Sequence, residues 1–178
     1  TVLVIDNGSD DDSVPRLQAA VPAANFIAQP KNRGFAAGCN IGIRRALGER
    51  ADYVWLLNND AQVMPGCLRA LTRKAEEDPK LGAVGSVLYS GQHPDTIEAW
   101  GGGRIYSNLG GTRHIYGPDA KEPDYLVGAS LLLRCRALKQ VGLLDERFFL
   151  YWEDTDLCQR LIAAGWSLAT AKDARVVH

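Results

Sequence analysis

Apolar runs and four-residue repeats alternate along the first half of the chain. Thr1 to Ile5 reads as one apolar run, the pattern of a strand covered on both faces. Ser13 with Pro15 two residues on opens a short helix that carries Leu17 and Val21 on one side. Asn25 to Ala28 predicts a second, weaker strand. Cys39, Ile43 and Leu47 recur every fourth residue and predict a helix from Phe35 to Leu47. Tyr53 to Leu57 predicts a third strand, Pro65-Gly66 starts a helix with Leu68, Leu71 and Ala75 on one face, and Leu81 to Tyr89 reads as a strand. Strand and helix in alternation imply a parallel sheet with right-handed crossovers.

The second half is patterned differently. Residues 96–118 are rich in glycine and lack a helical period, so hairpins or a mobile loop are expected there. Tyr125 to Arg134 predicts one strong strand and Cys135 to Val141 a short helix. Leu157, Cys158, Leu161 and Ile162 place an amphipathic helix over residues 153–164, ended by Gly165 at the C′ position. Two short strands, 166–170 and 174–177, and His178 follow.

Length and composition narrow the class. The 178 residues suit a single domain with its own core. Hydrophobic content of 46% and charged content of 23% are ordinary for a globular protein, and a net charge of −1 gives no bulk attraction for nucleic acid. No apolar run approaches the roughly 20 residues of a membrane span. None of Cys39, Cys67, Cys135 and Cys158 has metal-ligand spacing, so they are expected as small reduced core residues in a cytoplasmic protein.

In open α/β sheets ligands bind beyond the carboxyl ends of the strands, and polar clusters stand at those positions. Asp6-Asn7-Gly8 follows the first strand, either as a turn or as a carboxylate and amide at a pocket edge. Asn32-Arg33-Gly34 precedes a helix whose small residues would let an anion approach its N-terminus, with Arg33 suited to phosphate; close helix packing explains the small residues equally well. Asn58-Asn59-Asp60 ends the third strand. These polar groups need partners, such as a divalent cation with a diphosphate, unless they form an Asx turn. Glu153-Asp154-Thr155-Asp156 opens a helix behind Tyr151 and Trp152. One acid would serve as a cap, whereas three beside an aromatic platform fit sugar binding and proton abstraction. His178, at a strand end, is a candidate nitrogen ligand for the cation near Asp60; one imidazole among oxygens fits Mn²⁺ better than Mg²⁺.

The segments VIDNGSDD, NRGFAAGCNIGI, LLNNDAQVMPGCL, VGASLLLRCRAL, VGLLDERFFLYWEDTDLCQRLIAAGW and the terminal VVH together resemble the family 2 inverting glycosyltransferases, in their rhamnosyltransferase-like branch. The resemblance spans nearly the whole chain and implies a single domain, 1–178, of α/β GT-A fold, a Rossmann-like mixed sheet flanked by helices, with 1–90 as its nucleotide-binding half and 91–178 as its acceptor-binding half. It implies that Asp6 and Arg33 contact the nucleotide, and that Asn58 and Asn59 belong to the nucleotide-sugar site. Asp60 and His178 would hold Mn²⁺ or Mg²⁺, Asp154 would be the catalytic base, and Trp152 and Glu153 would line the donor and acceptor pocket. The expected partners are a nucleotide-sugar donor and a glycan or lipid-linked acceptor. Location would be cytoplasmic, with peripheral contact at the inner membrane face left open by such an acceptor. The pattern departs from the family at two points: Asn58 stands where D-x-D has its first Asp, and the chain starts at what would be the second strand, so the fold is expected as N-terminally truncated. A non-catalytic nucleotide-sugar-binding domain is the alternative expectation. A nucleotidyltransferase would want a glycine-rich, basic signature near the first strand, and none is seen.

Overall fold

The computed structural model describes residues 1–106, 110–118 and 122–178. They fall into two units, residues 1–51 with 143–153, and residues 52–142 with 154–178.

The first unit is built on a parallel pair, β1 (Leu3–Asp6) and β2 (Asn25–Ala28), in register from Leu3 opposite Asn25 to Asp6 opposite Ala28. They are joined through α1 (Ser13–Ala20), the crossover a parallel pair requires. α2 (Phe35–Gly48) lies on β1: a Cβ placed on Gly42 would touch Ile5 and Leu3 at ordinary van der Waals distance, 3.7 and 3.8 Å. β1 is half-buried along its length rather than covered on both faces, and α1 buries none of its residues. Segment 143–153 belongs to this unit because two devices fasten it to α2. Buried Asn40 donates from Nδ2 to the Leu144 carbonyl (2.8 Å) and accepts from the Leu144 N–H (3.1 Å). Phe35 donates its N–H to the Phe149 carbonyl at 2.7 Å. This close approach requires glycine at 34, where φ is +92° and a Cβ would stand 2.5 Å from the Phe149 oxygen.

The second unit holds a six-stranded mixed sheet. β3 (Tyr53–Leu57), β10 (Ser130–Arg134), β5 (Leu81–Tyr89), β11 (Ser167–Val177) and β4 (Gln62–Val63) follow in that spatial order, and β6 (Ile97–Trp100) pairs with part of β5. β5 is the central strand and is buried from Leu81 through Leu88, which accounts for its unbroken apolar run. It runs parallel to β11 and antiparallel to β10. α3 (Cys67–Glu77) packs Leu71 and Ala75 against Val84, Leu88, Leu132 and Val176, closing the core on one face. A smaller sheet orders β8 (Gly111–His114), β7 (Gly102–Tyr106) and β9 (Tyr125–Leu126). α4 (Cys135–Val141) and α5 (Glu153–Ala163) complete the elements, α5 taking its first residue from the other unit.

Three further expectations need correction. Among the described residues β3 has no parallel neighbour; its ladder is antiparallel to β10. The run Tyr125 to Arg134 is two strands, because the backbone between them is spent elsewhere: Val127 N–H on Gly101 O, Gly128 N–H on Asp154, and Ala129 O on Asn58 N–H. The two final short strands are one, β11, interrupted by an irregularity that carries the register from Ala171 opposite Ser86 to Arg175 opposite Val87. The expected hairpins in residues 96–118 are present as β6, β7 and β8, apart from 107–109, which lie outside the described residues. Among the described residues no helix is long and apolar enough to cross a membrane.

Candidate active site

β4 explains why the two ends of the second unit meet. Its antiparallel register sets Val176 opposite Val63 and Val177 opposite Gln62. One step further, His178 leaves β11 beside the turn that carries Asp60. The backbone of His178 is fixed as well, its N–H donating to Tyr89 O (2.9 Å) and its carbonyl accepting from Gly91 N–H (3.0 Å).

The side chains converge accordingly. Asn58 Nδ2 lies 3.1 Å from His178 Nε2, and Asp60 Oδ1 lies 3.4 Å from the same nitrogen. An amide and a carboxylate thus converge on one imidazole nitrogen, which brings together the oxygen and nitrogen donors that a divalent cation takes. Asn58 Oδ1 adds a third donor, being buried with no hydrogen-bond partner among the described residues. Asp60 is open to an incoming ligand, its side chain 73% exposed against 30% for His178. Asn59 sits exposed in the turn between them. The ligand set is smaller than a self-sufficient metal centre: among the described residues no group of three or more His, Cys, Asp or Glu could hold an ion.

Asp154, in the first turn of α5, is linked to this group through the backbone. Its Oδ2 accepts from the Gly128 N–H at 2.8 Å, and its Oδ1 accepts from the Thr155 N–H (2.6 Å) and hydroxyl (3.2 Å). The residue after Gly128, Ala129, accepts from the Asn58 N–H at 3.0 Å. Two consecutive residues therefore tie Asp154 to the end of β3. A carboxylate has about four lone-pair directions, and these contacts use one on Oδ2, which leaves that oxygen able to take a proton. The adjacent acids differ: Glu153 is buried at 5% exposure, and Asp156 pairs with Arg160 at 2.7 Å.

In the first unit the expected nucleotide-contact residues are drawn together by Asn7. Its Nδ2 donates to Asn32 Oδ1 (3.1 Å) and to Gly34 O (2.9 Å), and its Oδ1 accepts from the Arg33 N–H (3.4 Å). Asp6, which ends β1, accepts from the Ser9 N–H at 3.1 Å. Gly8 has φ +86°, and a Cβ there would lie 2.7 Å from the Asn32 nitrogen, so the turn after β1 seats on the turn after β2. Arg33 is 57% exposed and reaches Glu146 with Nη2. Tyr151 and Trp152 stand exposed with φ of 68° and 73°. Left-handed backbone at two successive bulky residues is rare and strained, and neither ring is buried in the core.

Sequence reasoning names Asn7 as the amide of a possible pocket edge and misses Asn32, Gly128, Ala129 and Glu146. Asn32 reads as an ordinary turn residue, and Gly128-Ala129 is hidden inside an apolar run that reads as one strand. Glu146 sits in Asp145-Glu146-Arg147, a charged triplet inside an apolar stretch, which is the available signal.

Comparisons with known proteins bear on this arrangement. The chain is 32% identical, over an alignment 213 positions long, to an N-acetylglucosaminyl-diphospho-decaprenol L-rhamnosyltransferase of Mycobacterium tuberculosis H37Rv, covering 100% of this chain and 66% of that protein. It is 26% identical to the galactofuranosyltransferase GlfT1 of the same organism, covering 99% of this chain and 60% of that one. The chain thus spans somewhat under two thirds of the length of these relatives. Among solved structures, GalNAc-T7 with UDP, GalNAc and Mn²⁺ superposes with a TM-score of 0.78 at 13% identity, covering 99% of this chain and 37% of that one. That likeness shows the fold, the GT-A architecture expected from the sequence. The family profile described as "Glycosyl transferase family 2" matches residues 1–142, and the chain belongs to that family.

Proposed function

We propose that the chain is the catalytic domain of an inverting glycosyltransferase, moving a sugar from a nucleoside-diphosphate donor to a hydroxyl of a glycan or lipid-linked acceptor. The observation that carries this reading is the link through Gly128 and Ala129 between Asp154 and the Asn58–Asp60–His178 group. It ties a proton acceptor to a cation-binding strand end, the two components such a reaction needs. The relatives named above transfer rhamnose and galactofuranose, which favours a deoxysugar or hexose donor on dTDP or UDP without choosing between them.

Asp60 and His178 would hold a divalent cation, with Asn58 Oδ1 beside them and the donor's phosphates supplying the oxygens the protein does not. When bound, that cation would stabilise the negative charge that builds on the leaving nucleoside diphosphate. Asp154 Oδ2 takes the proton from the acceptor hydroxyl, and the acceptor oxygen attacks the anomeric carbon from the face opposite the diphosphate. The bond to the diphosphate breaks as the new glycosidic bond forms, so the configuration inverts and no covalent enzyme intermediate forms. Gly128 N–H holds the carboxylate in place and Thr155 occupies its other oxygen. Asp6 and Arg33 contact the nucleotide, and Trp152 with Tyr151 offers an aromatic face to a sugar.

The test is transfer from UDP- and dTDP-sugars to glycan and lipid-linked acceptors, with the anomeric configuration of the product read by NMR. Asp154→Asn is expected to lower kcat by roughly 10²- to 10⁴-fold with donor binding kept. Donor binding by the wild type without any turnover would instead support a non-catalytic nucleotide-sugar-binding domain.

A further inference from the structure

The carboxylate of Glu146 lies at the centre of a cluster whose members come from three places in the first unit. Its Oε1 accepts from Asn40 Nδ2 (3.1 Å) and Arg44 Nη2 (2.8 Å), and its Oε2 accepts from Arg33 Nη2 (3.2 Å). Asn40 is buried at 1% exposure and is itself locked to the Leu144 backbone, so one end of the carboxylate is anchored in the protein interior. The other end reaches an exposed guanidinium.

We infer that Glu146 is a positioning residue for the nucleotide-diphosphate donor: it holds Arg33 in the orientation that receives the donor. This rests on the proposed role of Arg33 in nucleotide binding. Three features carry it. Arg33 engages Glu146 through a single Nη2, which leaves its remaining donors for a ligand. Its backbone N–H is directed to Asn7 Oδ1, so the residue is tethered at both ends. Two arginines share one carboxylate, so the cluster keeps a net positive charge for an anion. Hydrogen bonds from Arg44 and Asn40 hold the Glu146 carboxyl below its ordinary range, and the tether therefore persists across neutral and mildly acidic pH. An arginine already held loses less freedom when it binds than one swinging in solvent.

The sign of the effect separates positioning from simple charge. Glu146→Gln removes a negative charge, so electrostatics alone would tighten binding of an anion. Loss of positioning weakens it. The experiment is calorimetric titration of UDP and dTDP with Mn²⁺ on the wild type, Arg33→Ala, Glu146→Gln and the double variant, with thermal melting of each. Expected are a roughly two- to tenfold rise in Kd for Glu146→Gln, a comparable or larger rise for Arg33→Ala, and no additional rise in the double variant. Arg44→Ala, which frees one of the three groups holding Glu146, should reproduce part of the loss. Unchanged or tighter binding by Glu146→Gln, with Arg33→Ala weakened, overturns the inference and leaves the nucleotide reading standing. Equal losses from Glu146→Gln with and without Arg33 overturn it in favour of a purely structural role. No effect of Arg33→Ala, or no binding by the wild type, removes the nucleotide role of Arg33 and this inference with it.

Discussion

Asn58 and His178, 120 residues apart in sequence, meet at 3.1 Å between Nδ2 and Nε2. The contact follows from strand register rather than from either residue's own preference: β4 pairs antiparallel with the end of β11 and delivers His178 to the turn after β3. The Oδ1 of Asn58, buried without a hydrogen-bond partner among the described residues, and the carboxylate of Asp60 then stand beside one imidazole ring.

Gly128 sets the place of Asp154. A Cβ at this position would lie 3.3 Å from Asp154 Oδ2 and 3.4 Å from its Cβ, tighter than side chains normally pack. Gly128→Ala is therefore expected to displace the carboxylate and lower transfer by roughly tenfold or more, since small misplacements at a reacting group are costly. Nucleotide affinity should stay within experimental error. Steady-state kinetics beside calorimetry check this, and a loss confined to nucleotide binding would contradict the assigned role.

Gly34 holds segment 143–153 onto α2. Its φ of +92°, and the 2.5 Å that would separate a Cβ at this position from Phe149 O, leave no room for a side chain. Gly34→Ala should cost about 1–3 kcal/mol of stability, read as a lower urea midpoint. Because Phe35 N–H and Phe149 O would part, the aromatic turn at Tyr151 and Trp152 should also become more accessible to protease. A variant as stable as the wild type would show that the two segments do not pack in this way.

The cysteines are inert packing residues. Burial, with the Glu153 charge adding to it, pushes the Cys39 thiol up to about 12, and burial does the same for Cys158, also to about 12. Raised values mean the thiol stays protonated at physiological pH, with roughly one thiolate in ten thousand at about pH 8. Iodoacetamide should leave both unlabelled in the native protein and modify all four cysteines after denaturation, as mass spectrometry can read. Rapid native labelling of Cys39 would contradict the packing of α2.

What was legible in the sequence followed from local pattern. β2, β3, β5 and α4 match the predicted spans because their apolar runs or repeats are bounded by clear turn residues. The split of Tyr125 to Arg134 was not legible, because Val127-Gly128-Ala129 is apolar and its role lies in where its backbone hydrogen bonds go. β4 is two residues long and carries no period, yet it brings His178 to Asp60. Among site residues, Asn58, Asp60 and His178 were visible as polar groups ending apolar strands, and the structure brings them together. Glu146 was not, since its partners Asn40 and Arg44 lie on α2, more than a hundred residues away.

The most direct test of the cation-assisted donor site is titration of UDP and dTDP, with and without Mn²⁺, on this chain and on Asp60→Ala and His178→Ala. The site predicts nucleotide binding that depends on the metal and weakens by roughly 10- to 100-fold in either variant. Binding of equal strength with and without Mn²⁺, or undiminished in both variants, would contradict it.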